Sequence, residues 1–494
     1  MVRCRFEPWG KEVDVKAGTT VLAAARLCAV PLEAACGGLR FCGTCAVRVL
    51  EGELDDPDKD EAAYVGGKPF RLACRARVIE DVVVHPLVGE ASREPKELLP
   101  DEDDLPRKPA LGSEDREFIA AFDVGTTTIK LALAGASLPE VCRIERHNTQ
   151  ALWGADVISR MAAALDTRAQ AETLRDFAQN TMLEMLSEAL ASCHGVLSDV
   201  NKIVIAGNTI MVALLAGADM GDYATPPYGS IEPITLNEGP LVDAMRAQAP
   251  LSTILVVDSL GKLVGGDIAA GLHGIAQTRA EQPYLFVDIG TNIECALVKE
   301  NKVYVASAPA GSAFNFEGQR GSDTLECLAE LLRAQIMLPS GLLDETHPEV
   351  SRNSEGILCA RGITQQEIRS LQLIKAAFSV SIDAVLREAD IEPRVLSSIY
   401  LGGAFGQQVS SGTLFDVGIL ASGYRCVPLV YLPDAALEGA LFLARKSSDY
   451  CTESAVNTCV RSIAALNNQE IIALDFVSQE TFKKELFGAL DFPQ

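Results

Sequence analysis

The chain has 494 residues, 48% hydrophobic and 22% charged, so it can bury more than one apolar core. Its formal net charge of -24 argues against nucleic acid and anionic membrane surfaces as partners, because clustered Lys and Arg supply such contacts. The first residues lack a basic segment followed by an apolar one, and no apolar run reaches the roughly 20 residues of a membrane helix. We therefore expect a cytoplasmic protein.

The first 87 residues predict a small α+β domain. Short stretches typical of strands flank the Ala- and Leu-rich segment 19–29, which opens at a threonine that can cap a helix. This order of elements indicates a β-grasp fold. The acidic run 51–62 is either a solvated loop or a docking patch for a basic partner.

Four cysteines of this domain have the spacing of an iron-sulfur site: Cys36, Cys42, Cys45 and Cys74. Intervals of five, two and twenty-eight residues separate them, so three thiols are grouped and one is distant. Zinc is the main alternative, although zinc sites usually contain two separate CxxC pairs. Four thiolates complete a plant-type [2Fe-2S] cluster. We therefore expect electron transfer to be part of the function.

Residues 88–117 predict an extended linker. Prolines and charged residues dominate this segment, and it has few large apolar side chains with which to form a core. From residue 118 to residue 494, apolar strand-like runs alternate with longer amphipathic stretches, a pattern that is typical of α/β domains.

This second region contains an internal repeat. An apolar strand, an aspartate, a Gly-Thr turn and a second strand occur at 118–135 and again at 284–300. A small-residue turn between a strand and a predicted helix follows at 202–217 and at 398–409. We expect a duplicated fold with a cleft between its two lobes. The expected lobes are about 118–280 and 281–494.

The two Gly-Thr turns indicate a nucleotide site. Small residues let phosphate oxygens approach backbone N–H groups, and threonine hydroxyls add donors. Asp123 and Asp288 precede the turns, where carboxylates can hold Mg2+ through water or orient an attacking water. A glycine-rich turn at Gly402 and Gly403 can lie against adenine. Ordinary tight hairpins are the alternative.

These motifs resemble the phosphate 1, phosphate 2 and adenosine motifs of the acetate and sugar kinase, Hsp70 and actin superfamily. The resemblance implies an actin-like (ASKHA, duplicated RNase H-like) α/β ATPase domain after the β-grasp [2Fe-2S] ferredoxin domain. It implies Mg2+ and water at Asp123 and Asp288. The implied nucleotide-binding residues are Gly125, Thr126, Thr127, Thr128, Lys130, Asn208, Gly290, Thr291, Asn292, Gly402 and Gly403.

A ferredoxin domain followed by this ATPase core resembles the reductive activators of corrinoid-dependent enzymes. Further stretches that resemble the family are 147–160, 263–272, 364–377 and 399–406. The family resemblance implies a [2Fe-2S] cluster, ATP and Mg2+ as cofactors, and ATP-dependent return of a Co(II) corrinoid to Co(I). It implies a corrinoid protein of a methyltransferase system as partner and a ferredoxin or flavoprotein as electron donor.

Some expectations stay open. Since the ATPase core begins almost directly after the linker, we expect no additional middle domain, and a homodimer is one open arrangement. Trp153 either lines a contact surface for the partner or is a core aromatic. The alternative function is a small-acid or sugar kinase with a fused redox-sensing ferredoxin domain. A third is an electron carrier whose nucleotide site only regulates docking.

Overall fold

The computed structural model describes residues 1–7, 10–28, 30, 32, 45–59, 61–62, 70–86, 117–135, 140–154, 156–224, 233–290, 292–309, 321–353, 356–403, 409–446, 458–460, 470–474 and 489–490.

Within these ranges, the strands are β1 (Val2–Phe6), β2 (Lys11–Val15), β3 (Ala46–Glu51), β4 (Arg71–Leu72), β5 (Val82–Pro86), β6 (Phe118–Val124), β7 (Thr128–Gly135), β8 (Glu140–His147), β9 (Val200–Gly207), β10 (Thr253–Val257), β11 (Tyr284–Ile289), β12 (Asn292–Lys299), β13 (Lys302–Pro309), β14 (Val350–Arg352), β15 (Leu358–Ala360), β16 (Ile363–Thr364), β17 (Ser398–Gly402), β18 (Leu429–Tyr431), β19 (Thr458–Val460) and β20 (Glu470–Ala473).

The α-helices are α1 (Val21–Leu27), α2 (Val157–Asp166), α3 (Arg168–Ser192), α4 (Thr209–Leu215), α5 (Gly221–Ala224), α6 (Pro240–Gln248), α7 (Gly266–Gln277), α8 (Gly321–Arg333), α9 (Gln365–Glu388), α10 (Ser411–Asp416) and α11 (Ala435–Lys446). The 3-10 helices are Thr149–Trp153, Leu197–Asp199, Pro393–Val395 and Ser422–Tyr424. Helices long and apolar enough to cross a bilayer are absent from the described part of the chain.

The N-terminal strands form a mixed sheet in the order β2-β1-β5-β3-β4. The first strand is antiparallel to β2 and parallel to β5, as in a β-grasp sheet. Helix α1 begins after Thr20, whose hydroxyl accepts a hydrogen bond from the backbone N–H of Ala23 at 3.2 Å. The predicted threonine cap and α+β domain are therefore confirmed.

The region after the linker contains two sheets of the same design. In the first, with the order β19-β10-β9-β6-β7-β8, β6 is antiparallel to β7 and parallel to β9. In the second, with the order β18-β17-β11-β12-β13-β20, β11 is antiparallel to β12 and parallel to β17. The predicted duplication is confirmed. We call these units the first half and the second half.

Helices α7 and α11 pack between the two sheets and share one apolar core with both of them. Their contact is close, because a Cβ atom at Gly439 would lie 1.9 Å from the carbonyl oxygen of Ala270. Only glycine permits this approach. The helix pair joins the halves, and Asp123 of β6 is close enough to Asp288 of β11 for the two carboxylates to interact electrostatically.

Candidate functional site

The first phosphate turn is the hairpin between β6 and β7. The N–H of Gly125 donates to the carbonyl oxygen of Thr128 at 3.0 Å, and a Cβ atom at Gly125 would lie 2.9 Å from that oxygen. Asn148 supports the turn from below, since its Nδ2 donates to the carbonyl of Gly125 at 2.8 Å. Its backbone N–H donates to the carbonyl of Thr127, also at 2.8 Å. One hydrogen bond within the turn and two from Asn148 therefore stabilise it.

The second phosphate turn is the hairpin between β11 and β12. The N–H of Gly290 donates to the carbonyl oxygen of Asn292 at 3.1 Å, which repeats the geometry of the first turn. Thr291 lies outside the described residues. Both predicted turns are therefore tight hairpins, and neither uses its glycine amide for a contact with a distant part of the chain.

The carboxylates of Asp123 and Asp288 interact electrostatically. Asp123 lies near the end of β6, and Asp288 lies near the end of β11. Burial raises the pKa of Asp123 to about 7, Lys130 opposes this shift, and Asp288 adds to it. Burial likewise raises the pKa of Asp288 to about 6, again against the effect of Lys130. Two partly buried carboxylates that share one lysine form a site that a cation such as Mg2+ would stabilise.

Two further acids interact electrostatically with this pair, and neither was predicted as a site residue from the sequence. Burial raises the pKa of Asp267, in the first turn of α7, to about 8, with Asp123 and Asp288 acting in the same direction. Burial also raises the pKa of Glu294 on β12 well above its usual range, and Asp267 adds to the shift. Sequence signals existed, since Asp267 follows two glycines and Glu294 lies within the second repeat, 284–300.

Asn208 follows β9 of the first half and contacts Glu294 of the second half. Its Oδ1 caps helix α4 by accepting from the N–H of Ile210 at 3.0 Å, and its Nδ2 donates to Oε1 of Glu294 at 3.2 Å. Gly265 allows the approach, because a Cβ there would lie 2.7 Å from Cα of Asn208 and 2.5 Å from Oδ1 of Asp267. The structure thus assigns Asn208 a link between the halves, in addition to its predicted place at the nucleotide site.

Gly402 ends β17 beside Asp288, and Gly403 follows it. Gly403 has a φ of +80°, and a Cβ there would lie 2.4 Å from the carbonyl of Ile289 and 2.8 Å from Oδ1 of Asp288. A Cβ at Gly402 would lie 3.1 Å from Oδ2 of Asp288. The predicted adenosine turn and the predicted second phosphate turn therefore meet at one carboxylate.

Lys130 forms an ion pair with Asp434, which precedes α11. Arg143 donates to the second oxygen of Asp434 at 2.9 Å and also contacts Glu438. Burial opposes the charged form of Asp434, but Lys130 and Arg143 outweigh it and lower the pKa of Asp434. The predicted nucleotide-contacting lysine thus joins the first half to the second half through this pair.

The predicted cluster ligands Cys45 and Cys74 are 1% and 6% exposed and belong to the core of the β-grasp domain. The N–H of Ala73 donates to the carbonyl of Cys45 at 2.8 Å, which places the two cysteines in neighbouring segments. Cys36 and Cys42 lie outside the described residues. Within the part of the chain that the structure describes, no His, Cys, Asp and Glu side chains form a metal site of three or more groups. Sheltered thiols on adjacent segments fit soft, thiolate-bound iron better than a hard cation.

Models of three protein families match consecutive parts of the chain. They are the 2Fe-2S iron-sulfur cluster binding domain at residues 6–78, the RACo middle region at residues 118–278, and the C-terminal domain of RACo, the ASKHA domain, at residues 316–494. The expectation of a chain without a middle region is therefore wrong: the matched segment coincides with most of the first half. Strands β6 to β10 of this segment form one half of the duplicated fold. This explains why the sequence of residues 118–278 resembles one lobe of an ATPase.

Individual proteins agree with these matches. Corrinoid activation enzyme RamQ from Eubacterium limosum is 25% identical over 389 residues, which are 66% of this chain and 64% of that protein. The chain thus spans slightly less than two thirds of that relative. Chlorosome protein J from Chlorobaculum tepidum is 35% identical over 83 residues, 16% of this chain and 37% of that protein. The solved structure of a reductive activator for corrinoid, iron-sulfur protein covers 100% of this chain and 99% of its own at a TM-score of 0.62 and 20% identity, so the two share a fold.

Proposed function

The chain belongs to the RACo family, and from this premise we propose that it uses ATP to reduce a corrinoid protein, returning inactive Co(II) to Co(I) for methyl transfer. One observation supports the proposal: a match to a cluster-binding domain, a match to an ASKHA domain and a pair of interacting carboxylates on the two repeated hairpins occur in a single chain. The relative RamQ bears the name of a corrinoid activation enzyme, which supports the same reaction here.

The energetics explain why an ATPase accompanies an iron-sulfur domain. When bound, a [2Fe-2S] cluster of this type supplies one electron at about -400 mV. The Co(II)/Co(I) couple is expected to lie lower, and each 59 mV of difference costs about 1.4 kcal/mol. Nucleotide can offset this cost only through different affinities for two states of the protein.

The two states would be an arrangement in which contacts between the halves are formed and one in which they are broken. Lys130 is held by Asp434, and Asn208 is held by Glu294. The phosphates of ATP attract the lysine, and Mg2+ attracts the carboxylates, so nucleotide competes with both contacts. Binding therefore favours a different arrangement of the halves, and the partner that recognises this arrangement shares in the binding free energy.

The proposed residue roles combine this geometry with the sequence motifs. Asp123 and Asp288 bind Mg2+ and orient water, the two hairpins bind phosphates, and Gly402 with Gly403 accommodates the adenosine. The cluster is held by Cys36, Cys42, Cys45 and Cys74. We further propose a corrinoid protein of a methyltransferase system as partner, a ferredoxin or flavoprotein as upstream donor, and a cytoplasmic location.

The test is to mix the reduced, cluster-loaded protein with a Co(II) corrinoid protein and to record visible spectra with and without ATP and Mg2+. We expect Co(I) to accumulate only with ATP. The variant Asp288→Asn tests the nucleotide site: it leaves the β-grasp domain unchanged and should abolish the effect of ATP on Co(I) formation. Equal accumulation of Co(I) without nucleotide would falsify coupling and would leave the electron-carrier alternative.

The kinase alternative makes a different prediction. A small-acid or sugar kinase consumes ATP in the presence of its substrate without any corrinoid protein, whereas an activator shows ATP hydrolysis that the Co(II) corrinoid protein stimulates. Measuring phosphate release with and without that protein therefore separates the two functions.

A further inference from the structure

Among the described residues, Arg26 of the β-grasp domain contacts the first half. Nε of Arg26 in α1 donates a hydrogen bond to the carbonyl oxygen of Leu152 at 2.8 Å. The guanidinium carbon lies 5.3 Å from the ring centroid of Trp153, in cation–π geometry. The contact joins residues 126 positions apart in the chain, and the segment 87–116 that connects the two domains lies outside the described residues.

The receiving surface is rigid. The indole of Trp153 packs edge-on against Phe177 of α3, with ring centroids 5.0 Å apart, and it is 4% exposed. Leu152 is equally buried at 4%. The first half therefore presents a fixed aromatic face and a fixed carbonyl to a single cation. We call the pair Leu152 and Trp153 the arginine dock.

The arginine dock lies at the C-terminal end of a short 3-10 helix, and the residue that caps the other end of this helix contacts the first phosphate turn. The 3-10 helix Thr149–Trp153 is capped by Asn148, whose Oδ1 accepts from the N–H of Gln150 at 3.0 Å. The same Asn148 donates to the carbonyls of Gly125 and Thr127, each at 2.8 Å. Its side chain is fully buried. One end of the helix is thus bonded to the first phosphate turn, and the other end holds Arg26.

We propose that the arginine dock is the docking site of the cluster domain and that nucleotide at the first phosphate turn releases the domain from it. Phosphate oxygens draw the N–H groups of this turn toward the cleft. The carbonyls to which Asn148 is bonded belong to the same peptide units, so the capped helix must shift with them. The described part of this contact is one hydrogen bond and one cation–π contact of Arg26, which is small enough to be broken by such a shift. This step rests on the proposed nucleotide site but does not require a corrinoid.

The two tryptophans of the chain allow a direct test. Trp9→Phe leaves Trp153 as the single tryptophan. An iron-sulfur cluster absorbs where tryptophan emits, so docking quenches Trp153 in cluster-loaded protein relative to cluster-free protein. We expect ATP with Mg2+ to raise the emission of the loaded protein on the order of twofold.

Arginine variants separate docking from other quenching. In the Trp9→Phe protein, Arg26→Ala should give the high emission without nucleotide. The matched control is Arg5→Ala on β1 of the same domain, an exposed arginine that pairs with Glu7; it should leave the emission low until ATP is added. If Arg26→Ala and Arg5→Ala give equal emission, the arginine dock is not a docking site.

The coupling has its own test. Asn148→Asp keeps the oxygen that caps the helix but removes the Nδ2 donor to Gly125, so quenching should persist while the response to ATP is reduced. Because a buried charge can prevent folding, hydrogen exchange of the unmodified protein supplies a second measurement. Peptides covering 149–153 and 21–27 should exchange faster with ATP. Unchanged exchange in both peptides would overturn the coupling.

Failure of this inference is distinguishable from failure of the proposed function. ATP binding is measured separately by equilibrium dialysis, and Co(I) formation by its spectrum. If ATP binds and Co(I) forms while Trp153 emission stays constant, only the nucleotide-controlled docking is wrong. If ATP does not bind, the proposed function is wrong, and the comparison of Arg26→Ala with Arg5→Ala still decides whether the domain docks.

Discussion

Asn208 donates a hydrogen bond from Nδ2 to Oε1 of Glu294 at 3.2 Å and thereby joins the two halves of the ATPase region. Asn208 is 6% exposed and Glu294 is 5% exposed, so water competes little for either group. The amide is neutral at every pH, whereas the carboxyl has a raised pKa. The strength of this link therefore depends on the charge that surrounds Glu294, which is set by the other acids of the cleft.

The stability of the nucleotide-free protein should fall as the pH rises. Burial raises the pKa of Asp267 to about 8 in the folded chain, against about 3.9 in the unfolded chain. The protonated form is favoured by folding, so its contribution is complete below pH 4 and is lost as the pH rises through about 8. We expect Asp267→Asn to be more stable than the unchanged protein by roughly 1 to 2 kcal/mol at pH 8.5 and by less at pH 6.

Urea unfolding at both pH values measures this effect. Asp243→Asn on α6 is the matched control, because its side chain is 72% exposed. If the two variants respond alike to pH, the acidic cleft does not cause the dependence.

Lys130 and Asp434 should affect ATP binding in opposite ways. Lys130→Ala removes a cation that the phosphates need, so ATP affinity should fall by about tenfold, a loss of roughly 1.4 kcal/mol. Asp434→Asn removes the competing carboxylate of the ion pair and should leave ATP affinity equal or higher. Equilibrium dialysis with ATP measures both. A similar loss in the two variants would mean that the ion pair only maintains the fold.

Cys74 should be essential for the cluster, and Cys28 should not. Both belong to the β-grasp domain, but Cys28 caps the end of α1 and its Sγ lies 3.3 Å from the carbonyl of Ala24. After anaerobic reconstitution with iron and sulfide, Cys74→Ser should lack the visible absorption of a [2Fe-2S] site, whereas Cys28→Ser should retain it. Equal iron content in the two variants would exclude Cys74 as a ligand, and zinc at these thiols would exclude the cluster.

Gly439→Ala should loosen the contact between the halves. The added Cβ would lie 1.9 Å from the carbonyl of Ala270, so α7 and α11 must separate, at a cost of about 1 to 3 kcal/mol. Gly274→Ala on the facing helix is the control, because its Cβ would meet no atom closer than 3.9 Å. Thermal unfolding measures both variants, and ATP hydrolysis should fall only in Gly439→Ala.

Local pattern was enough to predict the duplicated fold and the cysteine domain. The repeated Asp-x-Gly-Thr turns are short, and each forms a hairpin that is closed by a hydrogen bond between near neighbours, from the N–H groups of Gly125 and Gly290. The same holds for the cap at Thr20. These features depend on residues that are close in the sequence, so they can be predicted from the sequence alone.

Contacts between distant segments could not be predicted. Asp434 reaches Lys130 across 304 residues, and the acids Asp267 and Glu294 acquire their raised pKa values only when four segments converge. Glu61 shows the same limit within the acidic run 51–62. It is 1% exposed and accepts from the N–H of Leu72 at 2.7 Å, so this residue is neither part of a solvated loop nor part of a docking patch.

The buried carboxyl groups around Asp267 let the nucleotide-free protein bind protons that ordinary acids would release. Burial raises the pKa of Asp267 to about 8, so it retains at neutral pH a proton that an ordinary acid would have lost. The pKa of Glu294 is shifted in the same direction, and a divalent cation entering with ATP displaces protons from such groups. Loading the nucleotide must therefore acidify the medium. The calorimetric heat of binding will differ between buffers of unequal ionisation enthalpy, and that difference counts the protons expelled.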